Sequence, residues 1–197
     1  MTSIESMFCE TVTPEVIEQL PIAVFPGEII EVNSVREAYR AVAFLNQESL
    51  LGFDTETKPS FTPNSGKGHK TSLLQLATHD KAFLFRLHSC GITSRLAALL
   101  SNPKVFKVGT AVKEDIKGLQ RYRTFMADGF IDLQSMTEPL GIKEKSLKKM
   151  AAIVLNLKLS KAQQLSNWDH KELTPAQRNY AALDAWICRE IYLTLKK

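Results

Sequence analysis

Two hydrophobic rhythms divide this chain. Residues 28–32, 50–56, 71–77 and 81–87 alternate apolar and polar positions, or run apolar, and are bounded by Gly, Pro, Asn or Asp, which predicts strands. His79 and Asp80 fall where the last two of these would meet in a hairpin turn. From there the spacing turns helical. Helices are expected over 93–100 and 111–122 with a strand at 104–108 between them, then short helices over 133–140 and 146–155. A long final helix starts at Thr174, with Pro175 in its first position, and runs towards Leu195. Nearer the N-terminus, Ser34 opens a helix carrying Ala38, Val42 and Leu45, and Thr13 and Pro14 open a short one reaching about Leu20. Early strands followed by strand–helix units imply an α/β fold, a mixed sheet with helices packed on it. Residues 1–27 read as an N-terminal extension and 28–197 as one domain, with no repeat or linker in between.

Some acids sit where this pattern wants a core. Asp54 and Glu56 are two apart at the end of a strand, so they share a face, and Gly52 lies beneath them on that face. Like charges so close are unfavourable without a cation or a proton between them. On the final helix, Tyr180, Leu183, Asp184, Ile187 and Ile191 fall in one arc, with Arg178, Arg189 and Lys196 opposite. Asp184 therefore lies in the stripe that should face inward, where an unpartnered carboxylate is costly. In the helix after Val108, Val112, Ile116 and Leu119 mark the apolar stripe, Asp115 lies at its edge and Glu114 points away. Three elements thus offer carboxylates, with a phenol and without His or Cys. An all-oxygen set selects hard divalent ions, Mg²⁺ or Mn²⁺, over zinc.

Composition narrows the setting. Hydrophobic residues make up 44% and charged residues 23% of 197, as in an ordinary globular protein, and no apolar run reaches the roughly eighteen residues of a membrane span. No signal-peptide pattern opens the chain. Cys9, Cys90 and Cys188 are odd in number and far apart, which argues against a disulfide framework or a structural zinc site and suggests a cytoplasmic, or at least intracellular, home. The net charge of +4 permits a polyanionic partner without naming one. Lys67, His69 and Lys70 share a Gly-rich loop, and Lys143, Lys145, Lys148 and Lys149 crowd another segment; each cluster alone reads first as solvated surface.

Taken in order, GFDTE, VGTAVKEDIKGL and NYAALDAWICREIY resemble the three exonuclease motifs of the DEDD superfamily. Residues 159–186 resemble the ribonuclease D and Werner-type branch, and the likeness runs from about Leu50 to Tyr192. The resemblance implies a ribonuclease H-like fold with a five-stranded mixed β-sheet flanked by helices. It implies a 3′→5′ exonuclease that uses two Mg²⁺ or Mn²⁺ ions to release nucleoside 5′-monophosphates from nucleic acid with a free 3′ end, DNA or RNA. Asp54 and Glu56 would be ligands from the first motif, Asp115 the acid of the second, acting through water, and Asp184 the ligand of the third. Tyr180 would orient the attacking water and help deprotonate it. Asn179 stands where the histidine branch carries its His, so the tyrosine branch fits. Candidate substrate contacts are Thr55, Lys67, Lys70, Lys113 and Trp168, with Lys107, Phe61 and His69 further options; for Trp168 a place at the core edge is the simpler reading. The loop from Thr57 to Lys70 is longer than the family pattern suggests, and the chain ends soon after the third motif. The residues alone leave open a binding module on the same fold, or a phosphoesterase for small substrates.

Overall fold

The computed structural model describes residues 8–57, 71–160 and 162–197. Helix α1 (Pro14–Glu18) precedes strand β1 (Glu28–Val32), helix α2 (Val35–Leu45) and strands β2 (Leu50–Thr57), β3 (Thr71–Ala77) and β4 (Lys81–Arg86). Helices α3 (Leu87–Cys90) and α4 (Ser94–Leu100), strand β5 (Phe106–Gly109), helix α5 (Val112–Gln120) and strand β6 (Phe130–Asp132) follow. Helix α6 (Leu133–Thr137) runs into a 3₁₀ turn, then come α7 (Leu147–Leu155) and the long α8 (Pro175–Leu195). Local chemistry sets the helix starts. Ser34, Thr93 and Ser146 each accept a hydrogen bond from the backbone N–H three residues on. At α8 the bond is reciprocal, because Gln177 reaches back to the N–H of Thr174 at 2.9 Å.

The strands form one mixed sheet in the order β1-β4-β3-β2-β5-β6, one strand more than the five expected. The addition is β6, three half-buried residues paired in parallel with β5, too short to leave a period-two signal. β2 is central: antiparallel to β3, with Asp54 opposite Gln75, and parallel to β5.

Alternation along β2 divides the molecule. Leu51 and Phe53 point into the larger core cluster, with α2, α4 and α5 residues such as Val42, Leu99 and Leu119. Gly52, Asp54 and Glu56 take the opposite face, which α8 covers. There the chain backbones come unusually close. A Cβ on Gly52 would lie 1.8 Å from the carbonyl oxygen of Ala185, so only glycine fits beneath this helix. The buried side of α8 is accordingly built of small residues, Ala181, Ala182, Ala185 and Cys188, around Asp184, with Ile187 and Ile191 beyond. Tyr180 and Leu183 flank that face and are only half-buried, and Arg189 is tucked in rather than fully opposed.

The N-terminal segment is joined to this unit. Ile17, Ala23 and Phe25 are buried, Phe25 meets Trp186 edge-on, and the backbone of 21–23 pairs with Lys158. Cys9, Cys90 and Cys188 are free thiols. No helix among the described residues is long and apolar enough to cross a membrane.

Replacing Gly52 by Ala should force α8 off the sheet. Overpacking against backbone rather than a flexible side chain should cost about 3 kcal/mol or more, read as a lowered urea midpoint; an unchanged midpoint would mean that the two backbones are not this close.

Candidate active site

Asp54 and Glu56 leave the C-terminal end of β2 towards α8, and Asp184 comes down from α8 to meet them. One carboxylate oxygen from each lies within 4.8 Å of the others. Asp115 stands just outside that set. It lies in the first turn of α5 and accepts a 2.6 Å hydrogen bond from Thr55 Oγ1, the β2 side chain that points the other way from its acidic neighbours. Thr55 thus tethers the acid of one layer to the strand carrying two others. Glu114 is turned outward and paired with Lys117 at 2.6 Å.

The start of α5 is held by Asp132, which the sequence pattern does not single out. Its carboxylate accepts from the backbone N–H of Ala111, Val112 and Gln134, at 3.2, 3.2 and 2.9 Å. Ala111 adopts a left-handed conformation, φ 51°, that a non-glycine residue takes only under constraint. The only clue in sequence is an Asp just before a short helix, since Asp132 also caps α6.

Electrostatics set this cluster apart. None of the ion pairs among the described residues reaches Asp54, Glu56, Asp115 or Asp184. Burial, then the charges of Asp184, Glu56 and Asp115, hold the Asp54 carboxyl well above the usual carboxylate range. Burial and the neighbouring acids push Glu56 to about 9. Burial raises Asp184 to about 7, against the stabilising hydrogen bond from the Tyr180 hydroxyl. Asp115 is raised by burial to about 6, with the Thr55 hydrogen bond opposing. The Tyr180 phenol is itself driven upward by burial and by Asp184 and Glu56, so without a cation it keeps its proton and donates.

These residues fit divalent ions. Three carboxylates converge, their environment favours the protonated form, and the donors are all oxygen, as Mg²⁺ or Mn²⁺ requires. Gln75 adds a further sign of an incomplete site. It is fully buried, lies directly across from Asp54, and neither its amide nitrogen nor its oxygen has a partner.

The cluster floors a cavity of about 310 Å³, large enough for a mononucleotide, with Thr110, Lys145, Ser146, Leu147, Lys148 and Gln164 among its other lining residues. The structure sorts the remaining candidates. Lys113 is exposed on α5 and does not line this cavity. Trp168 is fully buried among Leu73, Leu84, Leu173 and Ala181, its ring 6.0 Å from that of Tyr180; it has no face to offer a base and instead backs the tyrosine. Arg86, also buried, anchors the same stretch by donating to the carbonyl of His170. Lys107 is not a phosphate contact either. Its Nζ is buried and donates to the carbonyls of Leu99 and Asn102, and burial lowers it to about 8. Phe61, Lys67, His69 and Lys70 lie outside the described residues.

A family model described as 3′-5′ exonuclease matches residues 29–197. The chain belongs to the 3′-5′ exonuclease family. Within this exonuclease family, a Drosophila melanogaster protein named exonuclease 3′-5′ domain-containing protein 2 is 36% identical over 150 residues, 74% of this chain and 25% of that one. Ribonuclease D of Haemophilus influenzae is 32% identical over 154 residues, 77% of this chain and 37% of the enzyme. The chain thus spans well under half the length of these curated relatives. Among solved structures, the Aedes aegypti Nibbler EXO domain superposes with a TM-score of 0.75 at 25% identity, covering 90% of each chain.

For this exonuclease domain without metal, the raised carboxyl values make a signed prediction. Each acid binds its proton more tightly folded than unfolded, so its contribution to stability is complete below its unfolded value near 4 and is lost as pH rises towards about 9 for Glu56. The melting temperature of protein dialysed against EDTA should fall between about pH 5 and about pH 9, and the increment restored by Mn²⁺ should grow over the same interval. A Mn²⁺ increment independent of pH would contradict the electrostatic picture.

Proposed function

We propose that this chain is a 3′→5′ exonuclease that hydrolyses the terminal phosphodiester at a free 3′ end of a nucleic-acid strand, DNA or RNA, releasing nucleoside 5′-monophosphates. The observation that carries the reading is the convergence of Asp54, Glu56 and Asp184 within 4.8 Å, with the Tyr180 hydroxyl bonded to Asp184. Asp54, Glu56 and Asp184 would hold two Mg²⁺ or Mn²⁺ ions directly, and Asp115 through water. Bound there, such ions would supply an activated water and would stabilise the charge on the leaving oxygen.

The chain's own groups account for the rest. Thr55, which lines the cavity, fixes the Asp115 carboxylate behind it, so that the second-motif acid stands beside the tight set of three without entering it. Tyr180 lines the cavity beside the cluster with its proton retained, suited to orient a water by donating to it or accepting from it; burial is the main cause that raises the phenol, and neutralising the acids would remove only the part that they add. Burial of Trp168 behind the ring restrains the tyrosine's position. The family membership and the relatives named as exonuclease and ribonuclease D support the same reading.

Purified protein with Mn²⁺ should shorten 3′-recessed or single-stranded labelled oligonucleotides from the 3′ end, with mononucleotides as the product. Asp54→Asn and Asp184→Asn should each lower the rate by about a thousandfold or more, since each removes several kcal/mol of charge stabilisation. Tyr180→Phe should lower it by on the order of a hundredfold. Intact DNA and RNA after prolonged incubation with Mn²⁺ would overturn the proposal.

A further inference from the structure

The cavity that holds the acids also has cations on its α7 side. Lys145 and Lys148 line it together with Thr55, Glu56 and Tyr180. We propose that these two lysines form a subsite for a second phosphate of the same strand, next to the phosphodiester being cut. The inference rests on the exonuclease reading of this cavity and adds how the strand is held.

Three observations carry it. First, the two lysines are the least compensated of their cluster. Lys143 pairs with Glu10 at 2.6 Å and Lys149 with Glu144 at 2.9 Å. Lys148 has only a 3.9 Å contact to Glu18, a carboxylate that lies closer, at 3.1 Å, to Lys158, and Lys145 has no ion pair among the described residues. Second, their place makes little sense for stability. Lys145 precedes the Ser146 cap and Lys148 sits in the first turn of α7, where the helix dipole disfavours positive charge. Third, the remaining charge in the cavity is acidic. A strand threaded into it carries more than one phosphate. Ions held by the carboxylates would neutralise the one being cut, while its neighbour would meet uncompensated repulsion unless a basic group lay along the path. Among the described lysines and arginines, Lys145 and Lys148 are the ones that line the cavity. As flexible point charges rather than planar forks, they suit a phosphate that must advance after each cut.

The test reads binding apart from chemistry. A fluorescein-labelled single-stranded oligonucleotide is titrated with the full chain by anisotropy in Ca²⁺ across a range of salt concentrations, and hydrolysis is followed in Mn²⁺. Lys145→Gln/Lys148→Gln should weaken binding by about tenfold and make the slope of log Kd against log salt shallower by about one, for the one phosphate no longer neutralised. In hydrolysis the KM for the oligonucleotide should rise far more than kcat falls, and the loss should be larger on the oligonucleotide than on the nitrophenyl ester of thymidine 5′-monophosphate, which lacks a second phosphate. Lys148→Arg, tested alone, should bind close to the parent. Glu18→Gln separates the subsite from an anchoring role: it removes the carboxylate nearest Lys148 and should leave binding intact or tighter. The proposal is overturned by an unchanged Kd and salt slope, by a fall in kcat with KM unaltered, or by Glu18→Gln reproducing the loss. Should no substrate be hydrolysed at all, the exonuclease reading fails, yet the anisotropy and its salt slope still decide whether the lysines hold phosphate.

Discussion

The close approach of β2 and α8 governs everything at this site. Gly52 lets the helix backbone at Ala185 settle directly onto the strand, and two residues further along β2 the side chains of Asp54 and Glu56 begin where Asp184 descends. A larger residue at position 52 would lift the helix, and the three carboxylates would separate together. Small residues continue the same logic along α8, where Ala181, Ala182 and Ala185 keep the helix low over the sheet. Trp168, Arg86 and the reciprocal cap at Thr174 then fix where the helix begins, and so where Tyr180 stands relative to Asp184.

Bringing the acids together has a thermodynamic consequence. Four carboxylates with no cationic partner among the described residues gather around the end of the central strand, where burial raises them all and the neighbouring acids raise Asp54 and Glu56 further. A fold selected for stability alone would place a lysine or an apolar side chain there. The same destabilisation would give a divalent ion affinity for the cluster, because the ion would remove repulsion as well as form bonds. The buried amide of Gln75, without a partner beside Asp54, belongs to the same compromise.

Much of this is legible in the residues themselves. Period-two alternation puts Asp54 and Glu56 on one face with Gly52, and helical spacing puts Asp184 inward and Glu114 outward. Other features leave weaker marks. β6 is three residues long, so its pattern does not rise above chance, and with it goes the role of Asp132 in holding the left-handed turn at Ala111. Lys107 invites a wrong assignment because a strand lysine is ordinarily solvated, whereas here loop carbonyls at Leu99 and Asn102 satisfy it inside. The N-terminal segment reads as an extension because its apolar residues keep no sustained period beyond one short helix; its attachment depends on backbone pairing at Lys158 and on single anchors such as Ile17 and Phe25.

The central claim is that these carboxylates form a cation-filled pocket. Crystals soaked in millimolar Mn²⁺ with a nucleoside 5′-monophosphate, measured for the anomalous signal of manganese, test it most directly. Manganese peaks within coordination distance of the carboxylates of Asp54, Glu56 and Asp184 are the expected result. A map in which manganese is absent from the Asp54–Glu56–Asp184 cluster after such a soak would contradict the account.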